Sequence, residues 1–193
     1  MTTCINRQSS RPPPKPVGRA LNDGVVLLRL LTLDDVDEWL ANEDEEHLRW
    51  FELPPATSES VHAAIVRWTE SWETNGSRRS WGICEVRDGR LAGGVELNDL
   101  GDDSCNLSYT VFPFARRRGI ATRAANIALG YAASEMGLSR AVVQVHQDNV
   151  ASLGVARRLG AVPVGTQPFA GGGSEVIHHV DLAQLREDRW PNV

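Results

Sequence analysis

Residues 111–122 read VFPFARRRGIAT, an apolar strand end that passes through Pro113 into Arg116, Arg117, Arg118 and Gly119 and then into an alanine-rich stretch. Three cations where a helix begins, in a chain of formal net charge −5, have two readings: a solvated surface run or a site for an anion. The second has a physical basis. The first amides of a helix lack intrahelical partners, and the helix dipole adds partial positive charge at the same point. Gly119 lets the backbone approach an anion closely, and the small Ala121 leaves that approach open. The dipole contributes only about 0.3–1 kcal/mol at an exposed helix end, so several amides and arginine must act together. The spacing is neither G-x-x-x-x-G-K-[ST] nor G-x-G-x-x-G, which excludes the familiar ATP and dinucleotide loops. A phosphate-bearing ligand is left, unnamed at this point.

Other reactive side chains are sparser. Cys4, Cys84 and Cys105 are odd in number and scattered, which argues against a disulfide scaffold or a structural zinc site and for reduced thiols in a cytoplasmic setting. His146, His178 and His179 lack metal-ligand spacing and read as structural, so no metal is expected. The acidic run Glu43, Asp44, Glu45, Glu46 could attract a cationic amine, but a solvated helix end is the better account of it. Trp50 and Phe51, just beyond, suit either the mouth of such a site or the core.

The elements that must position these groups follow from hydrophobic patterning. Residues 1–20 hold several prolines and no periodicity, and read as a flexible tail; residues 21–193 read as one domain, its first strand near Val25. Thr32 and Asp35 mark a helix start, and Val61, Ile65, Trp68 and Trp72 trace an apolar stripe along a second helix, the tryptophans as core anchors. A D-G turn joins two strand-like runs around residues 81–99, and SCNLSYTVF makes a third strand. A long helix is expected from about Gly119 to Met136, then a strand at 140–146, a short helix at 149–160 and two last strands. The order β, α, α, βββ, α, β, α, ββ predicts an α/β (α+β) fold: a mixed, mostly antiparallel sheet of about seven strands flanked by helices. No stretch has the length and apolarity of a membrane span or signal peptide, and the acidic balance argues against a broad nucleic-acid footprint.

The segment VFPFARRRGIA resembles the V-x-P-x-x-[RQ]-x-x-G-x-[GA] motif of the GCN5-related N-acetyltransferases, the GNAT superfamily. GIATRA, MGLSRAVVQV and NVASLGVARRLGA follow in that family's order and spacing, most like its ribosomal-protein alanine acetyltransferase branch; the likeness is close over about residues 93–165. The resemblance implies a sheet splayed at the cofactor site and acetyl-CoA as co-substrate. Arg116, Arg117, Arg118, Gly119, Ile120, Ala121 and Thr122 would surround its pyrophosphate, and Val111 would offer main-chain hydrogen bonds to the pantetheine arm. Asn149 and Ser152 would face the pantetheine end and the thioester.

The chain also departs from that pattern. Arg117 stands where many relatives carry glycine, and Gly160-Ala161 replaces a usual Gly-Phe. Ala156 occupies the position of a tyrosine that protonates the departing thiolate, which moves the general acid to Ser152. Glu96 is the expected base because family members often carry a carboxylate on this strand; a surface glutamate is the alternative, and Asp99 the reserve. No cysteine lies in the cofactor motifs, favouring direct attack in a ternary complex. The implied acceptor is a protein or peptide N-terminal amine, or a small-molecule amine such as an antibiotic, polyamine or amino acid. A non-catalytic acyl-CoA-binding module is the rival outside enzymes. A homodimer is common in the branch.

Overall fold

The computed structural model describes residues 20–183 and Leu185; the expected proline-rich tail, Cys4 and the last residues lie outside them. The apolar run near Val25 forms β2 (Val26–Arg29), and a short β1 (Leu21–Asn22) folds back on it antiparallel. Thr32 and Asp35 act as expected: the Thr32 amide donates to Asp35 Oδ2 at 2.7 Å, starting a single 3-10 turn that leads into α1 (Val36–Asn42). Asp35 is buried and is held from the other side by the Arg29 guanidinium at 2.6 and 2.8 Å.

The acidic run does more than join two helices. Asp44 caps an additional helix, α2 (Glu45–Phe51), accepting from the His47 amide at 3.1 Å. Only His47 is buried in this seven-residue helix, so no apolar stripe announces it in the sequence. In α3 (Ser58–Glu73), Val61, Ile65 and Trp68 pack with Leu31, Val36, Trp39 and Phe112. Trp72 turns instead to Trp81 and Tyr131 and donates its indole N–H to Ser80 O at 3.0 Å. The tryptophan stripe is therefore a core feature.

The strands β3 (Arg78–Glu85), β4 (Leu91–Asp99) and β5 (Ser104–Val111) form an antiparallel meander, its first turn closed by Asp88 and Gly89 as the D-G signal predicts. Then come α4 (Ile120–Ser134), β6 (Arg140–His146), α5 (Val150–Arg158), β7 (Val162–Pro168) and β8 (Ser174–Asp181). The described residues form one eight-stranded sheet in the order β1-β2-β3-β4-β5-β6-β8-β7; the addition to the expected seven is the two-residue β1. Every neighbouring pair is antiparallel except β5 and β6. Buried Ala124, Ala125, Ala128 and Ala132 let α4 lie close against the sheet over Val95, Leu97 and Leu107. Each fully buried leucine there contributes about 1.5–3 kcal/mol, which makes α4 and β5 a firm frame for the loop between them.

Parallel β5 and β6 pair only over Ser104–Asn106 and Arg140–Val142, then diverge. That divergence opens the middle of the sheet.

Candidate active site

Beyond Asn106 the edge of β5 has no strand beside it. Phe112 N donates to Ala92 O at 2.8 Å, so the alternation of an antiparallel ladder turns the main-chain groups of Tyr109 and Val111 away from β4 and into the gap. The Val111 carbonyl accepts from Arg116 Nε at 2.9 Å, leaving its N–H to face the opening. An extended, amide-bearing chain laid along this edge would find donors and acceptors in the register of an added strand. β4 must come unusually close to β5 here: a Cβ on Gly93, whose φ is +148°, would lie 2.1 Å from Thr110 O.

The gap opens into a cavity of about 1610 Å³ that runs to the N-terminus of α4. Gly119 caps that helix with φ +78° and no side-chain hydrogen bond. The amides of Ile120, Ala121 and Thr122 precede the first intrahelical bond, Arg123 N to Gly119 O at 3.1 Å, and these residues line the cavity. Nothing lies within 4 Å of a Cβ placed on Gly119, so the space an anion needs is clear.

The three arginines have separate positions. Arg116 stands at the cavity wall and grips the start of α2, with Nη1 and Nη2 on the Asp44 carboxylate at 2.6 and 2.8 Å and Nη1 on Glu46 at 2.7 Å. That hydrogen bonding holds the Asp44 carboxyl below its ordinary range. Arg117 lines the cavity, is exposed and makes no ion pair among the described residues; its φ of +62° lies in the region that favours glycine. Arg118 turns outward to the buried Glu85 carboxylate, bonding it through both terminal nitrogens, and is absent from the cavity lining. Its geometry anchors the loop rather than facing the expected pyrophosphate position.

Asn149 and Ser152 line the same cavity at the start of α5, where the Asn149 side chain caps the helix by accepting from the Ser152 amide at 3.0 Å. A second cavity of about 520 Å³ adjoins, and the two share Trp50, Phe51, Tyr109, Asn149 and Ser152. Trp50 and Phe51 thus face the cavities and not the core. On the far wall His146 packs between Trp50, tilted at a centroid distance of 5.2 Å, and Phe169, edge-on at 5.0 Å. His146 Nδ1 accepts from the Asp148 amide at 3.2 Å and Nε2–H donates to Gly172 O at 2.9 Å, so both ring nitrogens are used. Glu52 and Glu175 also line this second cavity, and no lysine or arginine does among the described residues.

Glu96 lies one strand away. It sits across from Ser108, which lines the second cavity, and its carboxylate accepts from Ser80 Oγ at 2.7 Å and pairs with Arg78 Nε at 3.2 Å. It lines neither cavity itself. Asp99 serves the β4–β5 turn, accepting from the Gly101 amide at 2.9 Å. Cys84 and Cys105 are buried away from both cavities, and burial pushes the Cys105 thiol up to about 12. No described group of histidine, cysteine and acidic side chains could hold a metal ion.

Two contributors escaped the sequence reading. Tyr109 sits inside an ordinary strand pattern and is uncovered by the divergence of β5 from β6, and Phe169 reaches the same cavity from the β7–β8 turn.

A family model described as an acetyltransferase (GNAT) domain matches residues 26–162. No curated protein matches the sequence. Among solved structures, RimJ from Mycobacterium smegmatis in complex with CoA-disulfide shares 20% identity and a TM-score of 0.73, covering 90% of each chain. The ribosomal-protein-S5-alanine acetyltransferase of Vibrio fischeri shares 15% identity and a TM-score of 0.73, covering 90% of this chain and 100% of that one. The spermidine N-acetyltransferase of Vibrio cholerae in complex with CoA and spermine shares 16% identity and a TM-score of 0.72, covering 84% and 99%.

Proposed function

The chain belongs to the GNAT family of N-acetyltransferases, and from that premise we propose that it moves the acetyl group of acetyl-CoA to a primary amine that is cationic in solution. The observation that carries the reading is the opening between β5 and β6, an unpaired strand edge that leads to a helix N-terminus with no side-chain cap. Pantetheine would lie along Tyr109 and Val111, and the pyrophosphate would meet the amides of Ile120, Ala121 and Thr122 with Arg117 beside them. Arg116 supports this arrangement by fixing the loop to β5 and α2.

The thioester would then reach the junction of the two cavities, with the acceptor entering from the smaller one. Glu52 and Glu175 favour a positively charged acceptor there, and the rings of Trp50 and Phe169 suit its aliphatic part. Attack requires the neutral amine, and holding both substrates in line supplies much of the rate. Glu96 would take the amine proton through Ser108 or a water, since it stands behind that residue rather than in the cavity. Ser152 lies beside the expected sulfur position. Raised thiol pKa values and burial away from both cavities keep Cys84 and Cys105 out of the reaction, which supports direct attack.

Isothermal titration with acetyl-CoA tests the cofactor half. Binding by the wild type and its loss in Gly119→Glu are expected; no binding by the wild type, or unchanged binding by the variant, refutes it. Thiol release over a panel of polyamines, amino acids and peptides of differing N-terminal sequence tests the acceptor half. Turnover confined to acidic or uncharged acceptors contradicts the cationic reading.

A further inference from the structure

His146 closes β6 and packs between Trp50 of α2 and Phe169 of the β7–β8 turn, and all three residues line the second cavity. The residue is 8% exposed, and its role there goes beyond filling space. Nδ1 takes the Asp148 amide at 3.2 Å, which fixes the orientation of the ring. Nε2–H then reaches across to the Gly172 carbonyl at 2.9 Å.

The turn is shaped for that contact. Phe169 N donates to Gly173 O at 3.2 Å and Gly172 N to Phe169 O at 3.0 Å, closing the turn on itself. Gly173, with φ +82°, lies so near the ring that a Cβ would stand 2.7 Å from His146 Nε2. A Cβ on Gly171 would stand 2.9 Å from the Phe169 ring and 3.2 Å from Glu52 Oε1. The turn is therefore pressed between the imidazole and the end of α2. On its flank Gln167 Nε2 donates to Glu175 Oε2 at 2.8 Å, which orients one carboxylate of the cavity.

We infer that His146 is the positioning residue that sets acceptor selectivity: its Nε2–H fixes the β7–β8 turn, and Phe169 with it, against Trp50 and Glu52. This rests on the acetyltransferase reading of the site. The groups assigned to the amine come from α2 and from the β7–β8 hairpin, elements far apart in sequence, and the imidazole bridges them. An apolar ring would fill the same space without drawing the Gly172 carbonyl inward. Three glycines in a row give the turn little stiffness of its own, so the bond from β6 decides where its wall stands. A wall held in one place admits one shape of acceptor; a wall that swings admits several, each less tightly.

Glutamine and asparagine separate the two bonds of the ring, since a Gln amide can stand at Nε2 and an Asn carbonyl at Nδ1. His146→Gln should keep the KM of the preferred amine within about twofold of wild type, whereas His146→Asn and His146→Phe should raise it about tenfold. In the latter two, the preference for the best amine over the next should shrink about tenfold, with the KM of acetyl-CoA unchanged. Gly173→Ala should reproduce that loss, and combining it with His146→Phe should add little, because both act on one contact. Hydrogen exchange over residues 169–174 needs no acceptor: it should be faster in His146→Phe and His146→Asn than in the wild type or His146→Gln. Should the phenylalanine variant fail to fold, the contrast between asparagine and glutamine carries the test. Rescue by asparagine and not glutamine, equal losses for acetyl-CoA and amine, or unchanged exchange in every variant overturns the assignment. A wild type that binds no acetyl-CoA defeats the acetyltransferase reading itself, an outcome distinct from bound acetyl-CoA with an unaltered acceptor preference.

Discussion

Arg116 reaches from the loop after β5 to Asp44, the capping residue of α2, and bonds both of its carboxylate oxygens at 2.6 and 2.8 Å. The same guanidinium takes the Val111 carbonyl at 2.9 Å. One side chain therefore ties the loop before α4, the open edge of β5 and the helix that carries Trp50 into the second cavity.

Asp44→Ala removes both a helix cap and this tie. The cap alone contributes about 1 kcal/mol, and the half-exposed ion pair adds less than that. A fall of about 2–6 °C in thermal midpoint is expected by calorimetry. An unchanged midpoint would mean that the contact is ornamental.

The same carboxylate carries a pH signature. Arg116, then the His47 amide, hold Asp44 below its ordinary value against the opposing pull of burial. A depressed folded value gives stability that is complete above the unfolded one and lost as pH falls through the folded one. Asp44→Asn should thus lie below wild type at neutral pH, and the two should converge as pH drops below about 4. Thermal scans across roughly pH 3–7 check the convergence; parallel curves would exclude this origin.

Arg117 adopts a left-handed φ of +62° that a side chain resists by about 1–2 kcal/mol. Arg117→Gly should raise the thermal midpoint by about 2–4 °C while weakening CoA binding about tenfold and flattening its salt dependence. A variant both less stable and equally tight would refute the assigned role.

Gly93→Ala and Gly101→Ala separate crowding from conformation. A Cβ at Gly93 meets Thr110 O at 2.1 Å, whereas one at Gly101 meets nothing within 4 Å, both with positive φ. Urea unfolding should show a loss of about 3 kcal/mol or more for the first and about 1 kcal/mol for the second. Similar losses would contradict the close approach of β4 to β5.

In the acceptor cavity, Glu52→Gln and Glu175→Gln should each raise the KM of a cationic amine about threefold to tenfold at low salt, with kcat little changed. Steady-state kinetics at two ionic strengths decide it. An effect on kcat alone would move these carboxylates from attraction to chemistry.

Much of this architecture can be read along the chain because its causes are local. The Thr32–Asp35 start, the Asp88–Gly89 turn and the Val61–Ile65–Trp68 stripe each depend on neighbours a few residues apart, and each recurs in the fold. The helix start at Gly119 is legible for the same reason. What stayed hidden depends on partners far apart in sequence. Nothing near Arg118 points to Glu85, and nothing near Arg116 points to Asp44. The helix at 45–51 is too short and too exposed to leave a period, and Tyr109 differs from its neighbours only because β6 turns away from it.

That departure leaves a raw strand edge in the interior of the sheet, away from its outer strands β1 and β7. The Tyr109 main-chain groups and the Val111 N–H face that gap with no strand beside them, a template for an extended segment such as one from another copy. Self-association should therefore be a property of the empty protein: light scattering on warming should rise earlier without coenzyme A than with it, beyond what the gain in melting temperature explains.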